Sequence, residues 1–413
     1  MKELSKKLAG WNKEVFGNIY KRKKELFRAL KSLEMFNERK PSRSSMEKEK
    51  ATREELEDIL WQEELLWRQK ARVKLVVKGD LNTRYFHNCT LSRRKRNKIT
   101  RLQDAEGNWI DDPAMLQDMA REHFVNLFTN DAPCSGIQLP ALFPHVDESW
   151  LSRIGKTPNI ADIIAVLMGM NGLKAPGKDG FHALFFQKCW NTVGTDFASL
   201  VLKCFAIPST IQSINETLLA LIPKVDSPSS MNHFRPISLC NVGYKVIAKC
   251  IANNLKHLMP HLVHPNQSSF VPKHHITDNI IILQETVHSM SRKTGKKGTM
   301  LLKIDLAKAY DRIDWKFLEE TLMAARFPSS CIRLIMACVT TTSFQVLWSG
   351  GQTDSFTPTR GLRQGCPLSP CLFTLCIERL SHCILQEVND GNWKPVCLSP
   401  GVLLFHISSL LTT

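Results

Sequence analysis

The sequence has no C-x-x-C pair among its thirteen cysteines, which excludes a zinc ribbon, and the odd count leaves no complete disulfide framework. Cys366, Cys371 and Cys376 recur every five residues. That spacing suits neither metal ligation nor one helical face, so they read as small core residues. No uninterrupted apolar run reaches membrane length, and no charged-then-apolar signal opens the N-terminus. The expectation is a soluble intracellular protein without a membrane partner, with the nucleus open as a destination.

What is present is length and positive charge. A chain of 413 residues can bury a large core and divide into two or three domains. Its formal charge is +16, and residues 1–100 hold 27 Lys and Arg against 14 Asp and Glu, a balance of +13. Such a concentration points to a polyanion, with nucleic acid as the first candidate. From Lys2 to about Asn37, and from Ser45 to about Lys74, apolar residues recur every three or four positions among charges, as at Leu56, Leu60 and Trp67. The pattern predicts two long helices broken at Arg39-Lys40-Pro41-Ser42. A solvated helical hairpin with mixed charges fits the same pattern. Arg93, Arg94, Lys95, Arg96 and Lys98 then form a basic run just after Tyr85, Phe86 and His87, so stacking surfaces and phosphate partners share one segment. A nuclear-localisation patch and a solvated loop are the competing accounts.

Beyond Phe128 a Pro-, Ser- and Asp-containing stretch to Glu148 reads as a linker. Gly172 to Asp179 nearly fits the phosphate-binding pattern G-x-x-x-x-G-K-[ST]. Asp179, however, replaces the magnesium-holding hydroxyl, Pro176 removes a cradle N–H, and the preceding segment looks helical. His257, His261 and His264 could share a helical face, but no acid or cysteine completes a zinc site.

Two later stretches carry the chemistry. In Leu301–Trp315, LLKIDLAKAYDRIDW, Leu302 and Ile304 alternate with Lys303 and Asp305, which predicts a half-buried strand delivering a carboxylate to its end. A strand–turn–helix would then bring Tyr310 and Asp311 back beside Asp305. In Thr359–Leu375, TRGLRQGCPLSPCLFTL, Gly361, Gly365, Pro367 and Pro370 punctuate a helical apolar pattern. Together these resemble the polymerase core of reverse transcriptases, specifically those of plant non-LTR retrotransposons. The resemblance implies a magnesium-binding palm aspartate at Asp305 and an aromatic gate against ribose hydroxyls at Tyr310. It also implies a loop, Arg363-Gln364-Gly365, that holds the template–nucleotide pair. Leu221–Lys224 and Phe234–Leu239 resemble the family's finger motifs, making Lys224 and Arg235 candidates for contacting the incoming triphosphate; ordinary surface charge is the alternative. KAPGKDGFHALFF resembles the entry to the fingers, and the basic run resembles the linker ahead of the polymerase core.

Departures from the family are specific. Leu75 stands where the family has tryptophan, and Lys273-His274 where it has Gly-Arg. Family chemistry is phosphoryl transfer with two magnesium ions roughly 3.5–4 Å apart. Their mutual repulsion at an effective dielectric near 20 is about 16 kcal/mol, more than one aspartate offsets. The family supplies an Asp-Asp pair shortly beyond the Gln364 segment. Here only Asp354 and Asp390 follow Asp314, Asp390 sits in an Asn-Asp-Gly turn, and the sole Asp-Asp is Asp111-Asp112, ahead of a proline. Leu403, Leu404, Phe405, Leu410 and Leu411 resemble apolar remains of a palm strand without its acids. The expectation is therefore an α+β right-hand polymerase, interrupted in its palm. Residues 1–128 form a basic, mostly helical arm and linker, 129–150 a linker, 151–300 the fingers and 301–413 a partial palm. The implied ligands are Mg2+, an RNA template, a DNA primer and deoxynucleoside triphosphates, with a non-catalytic nucleic-acid-binding remnant as the rival reading.

Overall fold

The computed structural model describes residues 2–71, 83–130, 139–265, 267–272, 274–292, 294, 298, 300–394, 396–397 and 404–405. Leu75, Lys273, Leu403, Leu410 and Leu411 lie outside the described residues. The chain forms two compact units, residues 1–100 with 173–175, and residues 101–172 with 176–413.

The smaller unit contains α1 (Lys2–Trp11), α2 (Ile19–Arg39), α3 (Arg43–Ala71) and α4 (Thr83–Asn97). The first expected helix is thus interrupted by a π turn, Asn12–Phe16, and by Gly17-Asn18. The Asn18 side chain accepts from the Tyr20 and Lys21 amides and restarts the helix. Covered positions of α2 include Ile19, Lys23, Leu26, Leu30, Leu33 and Asn37, and those of α3 include Ser45, Glu49, Thr52, Leu56, Ile59, Glu63 and Leu66. Within each helix these positions step by four and three alternately, the heptad spacing of a coiled-coil seam, and α2 packs against α3; in α3 further covered residues such as Leu60, Trp67 and Ala71 widen the stripe. Polar members of the seam pair with one another: Lys23 Nζ donates to Glu63 at 2.5 Å, and Asn37 Nδ2 to Glu49 at 2.7 Å. Trp67 of α3 meets His87 of α4 edge-on at 4.4 Å.

The larger unit begins with the two-residue strands β1 (Leu102–Gln103) and β2 (Trp109–Ile110), then α5 (Pro113–Phe128), α6 (Glu148–Ile154), α7 (Ile160–Met168), α8 (Ala183–Lys188) and α9 (Trp190–Ala206). It continues with β3 (Glu216–Pro223), β4 (Phe234–Cys240), α10 (Val242–Leu262), α11 (Ile276–Arg292), α12 (Trp315–Ala324) and α13 (Ser329–Thr340). The remaining elements are β5 (Ser343–Trp348), β6 (Gly351–Gln352), α14 (Ser369–Asn389), β7 (Val396–Cys397) and β8 (Leu404–Phe405). Helix α5, expected within the arm, belongs to this unit: Phe128 packs on Phe344 of β5 at 4.9 Å. Asp112 of the sole Asp-Asp pair caps α5 by accepting from the Met115 amide.

The main sheet runs β4-β3-β5-β6, antiparallel except between β3 and β5. Helix α10, which follows β4 directly, is buried along most of its length, from Val242 to Leu262, against α6, α7, α9 and α14. Gly177 and Lys178 pack onto the sheet and the β4–α10 junction. A Cβ on Gly177 would lie 2.3 Å from Asn241 Oδ1, and Lys178 is held by Glu216 at 2.5 Å. That glycine answers a packing demand and the lysine an ion pair, in place of a phosphate cradle.

The expected strand over 301–305 does not form. Residues 301–306 are irregular and exposed, with Leu302 63% and Ile304 59% accessible. Alternation marks a segment suited to a ladder, but a strand also requires a neighbour, and no described strand pairs with this one. At the other end, Leu404 and Phe405 do enter a strand, β8, antiparallel to β7.

Candidate active site

The site is built where residues 309–312, a 3₁₀ turn, meet the loop 359–368. Four backbone donations fasten that loop: Thr359 and Arg360 to the Phe128 carbonyl, Gly361 to Ile313 at 2.7 Å and Leu362 to Tyr310 at 2.7 Å. Gly361 has φ +95°, and a Cβ there would lie 2.6 Å from the Asp311 carbonyl oxygen, so only glycine permits the approach. Gly365 is likewise left-handed at φ +103°, and the carbonyl of Gln364 beside it accepts from the Ser238 amide of β4.

Two neighbours in sequence point to opposite destinations. Arg363 turns inward and is 5% exposed. It donates to Asn215 Oδ1, Thr217 Oγ1 and the Cys338 carbonyl, and stacks 3.9 Å over the Tyr244 ring. It therefore clamps the loop from within the core and does not face a template, contrary to the expectation for the Arg363-Gln364-Gly365 segment. Gln364 turns the other way: its Nε2 donates to both Asp311 carboxylate oxygens, at 3.0 and 3.1 Å. Asp311 is 2% exposed, and burial pushes its carboxyl up to about 6, against the downward pull of the Gln364 amide and of Lys308, Lys224 and Arg312. Tyr310 stacks on Phe373 of α14, 4.4 Å between centroids and 17° between planes. Burial, followed by Cys371, raises its phenol to about 12, so the ring is neutral and fixed in orientation.

The structure thus brings Tyr310 and Gln364 together. It joins Lys224 to the same neighbourhood through Asn232, whose carbonyl accepts from Lys224 Nζ at 3.2 Å and whose side chain accepts from Lys308 Nζ at 2.7 Å. Arg235 lies on β4 opposite Ile222 and is exposed. Asp305 is exposed on the irregular segment, and among the described residues no three His, Cys, Asp or Glu side chains converge as a metal site. His257, His261 and His264 are not gathered either: His261 packs on Trp150, and the His264 amide donates to Glu378. The described residues do not build a two-ion centre. Arg93, Arg94, Lys95 and Arg96 occupy the exposed C-terminal turns of α4, with exposed Lys98 just beyond. The basic run is helical, not a loop.

Lys308 Nζ also stands 3.3 Å from His123 Nε2 of α5. Asp311 is legible in the sequence as a second acid after Ala309-Tyr310, whereas Lys308, His123 and Asn232 carry no local signal, because each is defined by neighbours distant in sequence.

Residues 222–398 match the family model described as "Reverse transcriptase (RNA-dependent DNA polymerase)". This span holds Lys224, Asn232, Lys308, Tyr310, Asp311 and Gln364, while Phe128, Asn215 and Thr217, which fasten the loop, precede it. The chain carries a reverse transcriptase domain of non-LTR retrotransposon origin. Among its relatives, "Transposon TX1 uncharacterized 149 kDa protein" of Xenopus laevis is 31% identical over 324 residues, covering 78% of this chain and 24% of that protein. The "Retrovirus-related Pol polyprotein from type-2 retrotransposable element R2DM" of Drosophila melanogaster is 24% identical over 284 residues, covering 68% and 25%. A type-1 R2 Pol polyprotein of Nasonia vitripennis is 25% identical over 207 residues, covering 49% and 19%. The chain spans about a quarter or less of the length of these curated relatives. In the reverse transcriptase domain, the Gln364 loop and the Tyr310 turn are joined by direct hydrogen bonds across about 50 residues of intervening chain.

Proposed function

We propose that the reverse transcriptase domain is the nucleotide- and template-gripping part of an RNA-directed DNA polymerase. The observation that carries this reading is the lock between the two motif segments: Gln364 held on buried Asp311, with Tyr310 stacked beside it on Phe373. A fixed ring at Tyr310 gates the sugar of a deoxynucleotide, Gln364 and Gly365 support the templating pair, and Lys224 and Arg235 meet the triphosphate. Asp305 is the proposed magnesium ligand. The plant subgroup is part of this proposal and rests on the motif wording alone.

Residues 1–413 hold one such aspartate and no Asp-Asp pair beyond Gln364. As an isolated polypeptide they bind nucleic acid and do not extend a primer. The second reading, a binding remnant without chemistry, is favoured by the exposed basic turns of α4. Primer extension on an RNA template with Mg2+, run beside Asp305→Ala, separates the two readings. The expected result is salt-sensitive RNA binding and no extension by either protein. Extension by the unmodified polypeptide that disappears in Asp305→Ala restores a working polymerase, and salt-insensitive binding removes the electrostatic account.

A further inference from the structure

In the smaller unit, α2 carries a second pattern roughly a third of a turn round from its seam. Tyr20, Lys24, Phe27 and Lys31 follow one another at steps of four, three and four, which sets them in one line along the helix. Arg28 flanks the line one turn beyond Lys24. The Tyr20 and Phe27 rings are 47% and 48% accessible, and Lys24, Arg28 and Lys31 are exposed. At 1.5 Å per residue the two rings stand about 10 Å apart along the axis, each followed one turn later by an ammonium group. Packing does not account for them, because α2 already buries its apolar seam against α3.

The charges of this stripe are also left open. Cations next to it in sequence are neutralised: Lys21 pairs with Glu25 at 3.9 Å, Lys23 with Glu63 at 2.5 Å, and Arg22 with Glu55. Glu34, the acid beside Lys31 in angle, is held by Arg53 of α3 at 3.1 Å. Lys24, Arg28 and Lys31 make no ion pair among the described residues, and Glu38 lies only at the C-terminal end of the line. The stripe therefore offers flat apolar rings and unneutralised cations in alternation. An acidic peptide would answer the cations but not the rings, and a duplex keeps its bases stacked on one another. A single strand answers both, with a base for each ring and a phosphate for each cation.

We propose that this stripe of α2 binds single-stranded nucleic acid, with bases stacking on Tyr20 and Phe27 and backbone phosphates meeting Lys24, Arg28 and Lys31. It is a contact surface additional to the basic turns of α4, and it does not depend on the nucleotide-gripping reading of the larger unit.

The test is fluorescence anisotropy of the 413-residue chain with a labelled single-stranded oligouridine and with a labelled RNA duplex, across a range of salt. The variants are Phe27→Leu, Tyr20→Leu, the double substitution Lys24→Gln with Lys31→Gln, and the control Phe36→Leu, whose ring is 52% accessible but on the far side of α2. Each is also made in a chain with Arg93, Arg94, Lys95 and Arg96 replaced by serine, so that α4 does not mask a loss. Helical signal establishes folding, and if one ring variant disturbs the hairpin the other replaces it. Each ring variant is expected to weaken oligouridine binding about fivefold or more while duplex binding stays unchanged. The double lysine variant is expected to lower the slope of log affinity against log salt by about 1.4, and Phe36→Leu to change nothing. Unchanged oligouridine affinity in the folded ring variants overturns the proposal, as does an equal loss on the duplex, which assigns the effect to charge alone. Sedimentation that shows a dimer dissociated by Phe27→Leu makes the stripe a contact between copies of the chain, which also overturns it. Failure of the arm's electrostatic account has a different signature, in which the unmodified chain binds neither RNA.

Discussion

At the scale of single residues, the site depends on where buried polar groups find partners. Arg363 is a buried cation satisfied by two side-chain oxygens, one carbonyl and the face of Tyr244, with no carboxylate among these partners. Asp311 is a buried carboxylate satisfied by one amide, and its raised proton affinity has a measurable consequence. Its carboxyl titrates at about 6 in the folded chain, against an ordinary 3.8. Between these values the native state holds a proton that the unfolded state has lost, so this group's contribution makes the protein less stable as pH rises, by about 3 kcal/mol in total. Asp311→Asn abolishes that component. Urea unfolding from pH 4 to pH 7.5 is expected to show the variant gaining on the unmodified chain as pH rises, with most of the change complete by pH 7. A constant difference across that range disproves the assignment.

At the scale of elements, the α2–α3 hairpin shows what a heptad pattern specifies. Its seam carries Leu26, Leu30, Leu33, Leu56 and Ile59, but also the Lys23–Glu63 and Asn37–Glu49 pairs, which disfavour any register that separates them. The Glu63 side chain is 9% exposed and that of Lys23 is 30%, whereas Glu3 and Lys7 of α1 are 83% and 75% exposed. A double-mutant cycle to alanine, followed by helical signal in urea, is expected to give a coupling above ~1 kcal/mol for Lys23–Glu63 and below ~0.5 kcal/mol for Glu3–Lys7. Similar values for both pairs would mean that the seam gives its ion pair no advantage over solvent. The segment 301–306 is the counterpart: its alternation is as clear as the hairpin's heptads, yet it forms no strand. A helix closes its own hydrogen bonds, while a strand depends on a second segment for them.

At the scale of the whole molecule, the positive balance of residues 1–100 is the main electrostatic feature, and Arg93, Arg94, Lys95 and Arg96 place part of it on one exposed helix end. The C-terminal dipole of their own helix favours these charges, so a cationic surface is sustained there by the backbone itself. Replacing all four with serine is expected to lower the slope of log affinity for single-stranded RNA against log salt by about 0.7 for each phosphate that is no longer neutralised. Affinity should fall uniformly across RNA sequences. A slope that does not change would show that α4 is solvated surface only.

The sequence by itself determined the helices of the hairpin, the concentration of charge, and the order of the two motif segments that meet in the reverse transcriptase domain. These are local properties, written in periodicity and composition over a dozen residues. Only the tertiary structure decided that Arg363 enters the core while Gln364, one residue later, reaches Asp311 across 53 positions, and that Lys308 meets Asn232 across 76. Such pairings follow from how the sheet, α10 and the glycine-bearing loop pack together. Nothing in either residue's own neighbourhood encodes them, because a hydrogen bond depends on distance through space and not on separation along the chain.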